Sequence, residues 1–312
     1  MPRRSPLAPL TLSLALAFTA CPGGEAKKTD AKAAPKTDAK AVTPEDTKRD
    51  PSTSIDKAVV AIDLAGAVPP DASAVFFAVD GALIPLACYL HDKKKLATGK
   101  DCLKLVKQGD EVYLKSKGVE NLDKIGAPKA AMCEVGGTGE PTSLSVPAVD
   151  AGATFDYAVA PKSLARQVVL LPEDSWGDKK PPLAADELTA LAGLAKVEGT
   201  LAVRQVAVQD LDGDGAAEKL VSVAQENPKD TERYTFSGVF LQKGNAPGTW
   251  LTIESSKNDT LSYTVRGVLD LDGDRTHELW INSVSNEGGG GDRIYQLTAT
   301  GATGLGKWTC GA

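Results

Sequence analysis

The stretch Val203-Arg-Gln-Val-Ala-Val-Gln-Asp-Leu-Asp-Gly-Asp-Gly-Ala-Ala-Glu-Lys-Leu-Val-Ser-Val223 decides how this chain folds. It sets Asp210, Asp212 and Asp214 at alternate positions, Gly215 next, and Glu218 three residues later. Carboxylates at the first, third, fifth and ninth positions of a tight turn converge on one point, and the seventh position, Ala216, adds its backbone carbonyl. Such an oxygen-only set suits a hard cation, Ca2+, and Gly215 suits the sharp turn. Val206 and Val208 alternate with Ala207 and Gln209 before the turn, and Leu220 to Val223 continue as an apolar run after it. The turn therefore joins two strands.

The same outline returns sixty positions later in Val268-Leu-Asp-Leu-Asp-Gly-Asp-Arg-Thr-His-Glu-Leu-Trp-Ile281. Asp270, Asp272, Asp274, the Thr276 carbonyl and Glu278 take the matching places, between strands at 265–268 and 279–282. Segments 234–242 and 250–254 supply two strands between the turns, and 293–298 and the Trp308 segment two more after the second. The unit is about four strands and sixty residues. Three carboxylates within five residues repel one another unless a cation sits between them, which favours metal-filled turns over bare acidic ones. Arg275 stands where Gly215 does, at a position suited to positive φ, so the second site is expected to be weaker or empty. His277 is expected to be solvated rather than a ligand.

Strand, Asp-x-Asp-Gly-Asp-Gly-x-x-Glu, strand, at a sixty-residue period, resembles the calcium-binding FG-GAP repeats of integrin-α-type β-propellers and related bacterial cell-surface repeats. The resemblance covers about a hundred residues, and only the turns are specific. It implies calcium ligands at Asp210, Asp212, Asp214, the Ala216 carbonyl and Glu218, and at Asp270, Asp272, Asp274, the Thr276 carbonyl and Glu278. Two repeats cannot close a ring of about seven blades, which leaves two blades packed as a sandwich or an incomplete ring. The Gly-Ala-Pro element of the family is absent, with Gly244-Asn245-Ala246-Pro247 its faint echo. An EF-hand fits less well, because its twelfth position falls on Val221 and Ile281 and the flanks read as strands.

The N-terminus reads as that of a cell-envelope protein. Arg3 and Arg4, an apolar run from Leu7 to Ala17, and small residues before a cysteine read as a secretory signal over 1–20, too short to span a bilayer. Phe18-Thr19-Ala20-Cys21 resembles a bacterial lipobox, with Phe18 where Leu is usual; it implies lipidation of Cys21 and, with Pro22 following, the outer membrane. Residues 21–54, rich in Ala, Lys, Asp, Thr and Pro with an internal echo, read as a disordered tether. Its reach would be on the order of 30 Å. The chain has 35 basic and 41 acidic residues, net −6. Removing the segment before Cys21 takes away Arg3 and Arg4 and no acid, leaving 33 against 41, net −8. An acidic chain without a basic stripe argues against nucleic acid as the partner.

Residues 55–149 read as a small β domain. Ala74–Val79 and Ala82–Ala87 form a hairpin about Asp80-Gly81, and Cys102–Val106 and Glu111–Lys115 repeat the pattern about Gly109. Cys88, Cys102, Cys133 and Cys310 are an even number in an exported chain, which points to disulfides. Cys88 with Cys102 would close a loop of about fifteen residues, contributing ~3 kcal/mol, and leaves Cys133 with Cys310. The alternative is zinc at Cys88, His91, Cys102 and Cys133, whose spacing lacks a second close pair.

Residues 150–312 read as the β-rich domain of the two repeats. Strands are expected at 154–160 and 166–171, and Ser175–Pro182 is a loop whose Trp176 caps a core edge or stacks on a ligand. The segment 184–197 is the one helix: Leu188, Leu191 and Leu194 recur at threes, Asp186 and Glu187 sit near its start, and Gly199 ends it. Glu287–Asp292, with four glycines, is expected to be a mobile loop.

The expected fold class is thus mainly β, and the expected function that of a non-catalytic, lipid-anchored, calcium-binding module, with the membrane and an envelope protein or glycan as expected partners. With His91 and His277 the chain's two histidines and no Gly-x-Ser-x-Gly or His-Glu-x-x-His, a catalytic motif is lacking. The alternatives are an exported carboxylate-based hydrolase such as a glycosidase, whose paired acids leave no local motif, and a scaffold subunit of an envelope complex.

Overall fold

The computed structural model describes residues 73–130, 133–135, 142–172, 175–244, 249–298 and 300–311. The signal segment, Cys21 and the tether lie outside the described residues. All that is described belongs to one compact unit, Pro51–Ala312.

The protein is mainly β. Its strands are β1 (Ala74–Val79), β2 (Leu83–Leu90), β3 (Lys95–Ala97), β4 (Glu111–Ser116), β5 (Val119–Lys124), β6 (Pro128–Ala130), β7 (Glu134–Val135), β8 (Thr142–Leu144) and β9 (Tyr157–Ala160). They continue as β10 (Val168–Leu170), β11 (Ala202–Gln209), β12 (Glu218–Asn227), β13 (Asp230–Gln242), β14 (Trp250–Asp259), β15 (Leu261–Leu269), β16 (Glu278–Ser285), β17 (Gly289–Thr298) and β18 (Gly301–Gly311). A first, curled sheet runs β5-β4-β9-β1-β2-β8-β6, with β3 beside β2. A second runs β10-β15-β16-β17-β18-β7, and a third is the meander β11-β12-β13-β14. All pairings are antiparallel.

The β1 sequence is apolar at every position because both faces of its sheet are covered, so no alternation survives. Phe76 and Ala78 face the second sheet, where Phe76 meets Trp280 edge-on at 5.2 Å, and Phe76 also stacks on Tyr157 of its own sheet at 5.7 Å. Val75 and Phe77 face the other way, into a core closed by Ile125, Val146 and the Cys88–Cys102 disulfide. The third sheet packs on the second through Val239, Leu241 and Ile253 against Tyr263, Val265, Ile281 and Tyr295. The two repeats are therefore two blades packed face to face. The helix Ala185–Ala195 covers the outer face of the third sheet, burying Leu191 and Ala195 on Val206, Val223, Phe236 and Phe240. Leu194 stays 45 % exposed, and the helix ends at Lys196 in a left-handed conformation, three residues before Gly199.

The chain crosses the expected division at residue 149 in both directions. β9 lies between β4 and β1 in the first sheet, and β7 caps the second sheet beside β18, where a second disulfide joins Cys133 to Cys310. With both disulfides formed, no thiol among Cys88, Cys102 and Cys133 is free for the zinc alternative. Two local expectations are corrected. Residues 100–103 form a single helical turn instead of a strand, entered through Gly99 at φ 56° and holding Cys102 buried beneath β2. Gly289–Asp292 open β17 instead of forming a loop. A Cβ on Gly290 would lie 2.3 Å from the Ser283 carbonyl oxygen, and one on Gly291 would lie 2.1 Å from that of Trp308, so glycine lets three strands pass at close range.

Polar side chains complete the blade contact. β10 covers β15 only along Leu269 to Gly267, and the Leu171 amide donates to Arg266. Beyond that point the edge of β15 would be buried without partners. Gln205, 1 % exposed, takes over: its amide nitrogen donates to the Val265 carbonyl at 2.8 Å and its oxygen accepts the Val265 amide at 2.9 Å. Ser222 then donates to the Tyr263 carbonyl. Trp176, half-buried, pairs with Gln205 at the margin of this seam. Among the described residues no helix is long and apolar enough to cross a membrane.

Candidate metal centre

The first turn connects β11 to β12 and the second connects β15 to β16, so each closes the first hairpin of its blade. Leu211 and Leu271, the apolar residues inside the turns, are both fully buried and anchor them to the core. Each turn then winds round its first aspartate. Asp210 accepts the amides of Gly213 at 2.8 Å and Gly215 at 3.1 Å; Asp270 accepts those of Gly273 at 2.7 Å and Arg275 at 3.3 Å. The closing glutamate reaches back: Glu218 accepts the Leu211 amide at 2.7 Å and Glu278 that of Leu271 at 3.0 Å. Each carboxylate oxygen has two lone pairs, so these bonds leave acceptor capacity directed at the turn centre.

Oxygens of Asp210, Asp212 and Glu218 converge within 4.8 Å of one another in the first turn, and those of Asp270, Asp272 and Asp274 in the second. Asp214, outside the first set, accepts the Ala216 amide at 2.7 Å, and Asp274, within the second, also accepts that of Thr276 at 2.6 Å. Ala216 is exposed and Thr276 half-buried, each in the turn where its carbonyl is expected. A cavity of about 220 Å3 opens beside the first turn, lined by Asp212, Glu218, Leu241, Lys243 and Thr276. Lys243 donates to the Thr298 carbonyl at 3.0 Å. Among the described residues no ion pair reaches any carboxylate of the two turns.

The carboxylates are electrostatically unsettled. Burial pushes the carboxyls of Glu218 and Asp270 up, against the backbone bonds from Leu211 and Gly273. Burial, with the charges of Asp274 and Asp270 added, pushes Asp272 up to about 6. Glu278, 1 % exposed, is also raised, again by burial first. A dication at the centre of each turn would reverse this by favouring the charged form of all of them. The donor set, carboxylates and carbonyls without thiol or imidazole, fits calcium or another hard cation.

Arg275 takes φ 74°, as Gly215 takes φ 88°, so the second turn holds a side chain in the left-handed region. That costs roughly 1–2 kcal/mol relative to glycine before entropy is counted. His277 is not solvated as expected. It is 1 % exposed; its backbone amide donates to the Leu211 carbonyl at 2.8 Å and its Nδ1 lies 3.2 Å from the same oxygen. A Cβ on Gly213 would lie 2.9 Å from the Cβ of Arg275. The two turns are therefore neighbours at one end of the blade pair, clasped through Leu211 and His277. No local signal announces that contact; the sixty-residue repeat, which superimposes one turn on the other in two stacked blades, is the feature from which it follows. No protein family, curated protein or solved structure matches this chain.

Proposed function

We propose that this protein is a lipid-anchored, calcium-binding module of the bacterial cell envelope, without catalytic activity, in which ions in the two turns pin one end of the packed blades. The observation that carries it is the pair of adjacent turns in each of which three carboxylates converge, Glu218 and Asp270 buried and the others half-buried or exposed, without a counter-ion among the described side chains. Proteins bury carboxylates where they are paired or bound to metal, because an isolated buried charge is expensive. Three converging carboxylates per turn, Asp210, Asp212 and Glu218 in the first and Asp270, Asp272 and Asp274 in the second, point to a cation as the missing partner. The anchor rests on Phe18-Thr19-Ala20-Cys21 and the tether after it. The ions act as staples: they fix the turns that close β11–β12 and β15–β16, and leave the strand faces and remaining loops to meet an envelope protein or glycan.

Calorimetric titration of the full chain carrying Cys21→Ser, with calcium and then magnesium as titrants, tests this. Two binding events, the tighter lost in Asp210→Asn and the weaker in Asp270→Asn, are expected. Absence of heat together with an unchanged melting temperature in chelator would remove the metal from the account.

A further inference from the structure

A basin of about 600 Å3, separate from the acidic turns, lies where β4 meets the chain leaving β9. β4 pairs with β9 so that Tyr113 faces Val159 and Lys115 faces Tyr157. After β9 a two-turn 3-10 segment, Lys162–Gln167, folds back over Tyr113. Leu164 and Ala165 are buried in the same core as Tyr113, while Lys162, Ser163 and Arg166 remain exposed. The buried pair thus fixes the backbone that carries the polar side chains into the basin.

The basin gathers Lys115, Lys162 and Arg166 around one acid, Glu120. Glu120 is already engaged, by the Tyr113 hydroxyl and by the Lys115 ammonium at 3.0 Å, and these partners hold its carboxyl below its ordinary value. Lys162 places its ammonium 5.0 Å from the centre of the Tyr113 ring. Arg166 and Ser163 have no partner among the described residues. The neighbouring Asp156 is spent on Arg266 at 2.6 Å. Two positive charges are left over locally, in a chain whose net charge is −6. Clustered cations repel, so an anion filling the space between them is favourable. A guanidinium fork beside an ammonium and a hydroxyl matches the oxygens of a phosphoryl group, which accepts paired bonds from arginine and a point charge from lysine. The volume exceeds a bare ion and lies in the range of small-ligand sites.

We propose that this basin binds a phosphoryl oxyanion, borne either on a small soluble molecule or on a phospholipid headgroup, with Arg166 and Lys162 as the principal contacts. The proposal is independent of the acidic turns. The full chain carrying Cys21→Ser, so that no lipid is attached, is titrated with inorganic phosphate by NMR and sedimented with vesicles of phosphatidylglycerol or of phosphatidylcholine. Arg166→Ala and Lys162→Ala should each weaken binding about tenfold, as loss of one charge-assisted contact requires. Glu120→Gln should strengthen it by removing the competing charge, an effect that a purely structural role would not produce. Lys104→Ala, an exposed lysine elsewhere, should leave it unchanged. Saturable shifts with phosphate assign a soluble ligand; sedimentation with phosphatidylglycerol but not phosphatidylcholine vesicles, lost in Arg166→Ala, assigns a headgroup. Binding to neither probe, or binding indifferent to Arg166→Ala and Lys162→Ala, overturns the site.

Discussion

Asp272→Asn should change stability in opposite directions with and without calcium. Burial, with Asp274 and Asp270 alongside, raises the Asp272 carboxyl from 3.8 to about 6. A carboxyl whose folded pKa lies above its unfolded one holds its proton more tightly in the native state. Its stabilising contribution is therefore complete below about pH 4, drains away as pH rises towards 6, and is absent at neutral pH. Two pKa units are worth ~3 kcal/mol, and the partial solvent access of the side chain and the repulsion it shares with Asp274 reduce that to ~1–2 kcal/mol. Asparagine keeps an acceptor for the Asp274 amide, now at 3.2 Å, and removes the charge. In chelator at neutral pH the variant should accordingly be more stable than the parent by ~1–2 kcal/mol, with the difference vanishing below about pH 4. At calcium a hundredfold above its dissociation constant the parent gains ~2.7 kcal/mol, most of which the variant forgoes, so the order reverses. Urea unfolding at both pH values, in chelator and in calcium, reads both signs. A variant less stable than the parent in chelator, or more stable in both media, would refute the reasoning.

Two further outcomes concern the frame that holds the turns. Gln205→Leu leaves the Val265 amide and carbonyl buried without partners and should cost ~2–4 kcal/mol in urea unfolding with an unchanged m-value; a loss below ~1 kcal/mol would show that β15 has other partners. Replacing Cys133 and Cys310 together by serine should destabilise by ~4–5 kcal/mol, against ~3 kcal/mol for Cys88 with Cys102, because the first pair closes 177 residues and the second 14. Equal losses from the two pairs, measured by thermal and urea unfolding, would count against the chain-entropy account.

Much of this was legible along the chain because it is set by neighbours in sequence. The alternation of Val206 and Val208, the Asp-Gly turns and the sixty-residue repeat carry strand, turn and strand in both blades, and the leucine spacing over 184–197 carries the helix. Asp210 and Asp270 each bind amides three and five residues away, so the winding of each turn is local chemistry. The even count of cysteines and the short span between Cys88 and Cys102 likewise favour that pairing over the two others that four cysteines allow. Tertiary structure decided what depends on distant segments. The burial of His277 exists only because Leu211, sixty-six residues earlier in the chain, brings its carbonyl alongside. The strand at Gly289–Asp292 forms because Ser283 and Trp308 press close enough to exclude any Cβ, a fact that glycine content by itself reads as a loop. Lys115 joins Lys162 and Arg166 because β4 pairs with β9, and no local pattern links it to that segment. Contacts within a few residues follow from side-chain type and backbone preference, whereas contacts across tens of residues follow from which faces stack, and stacking minimises the exposed apolar area of the whole chain at once.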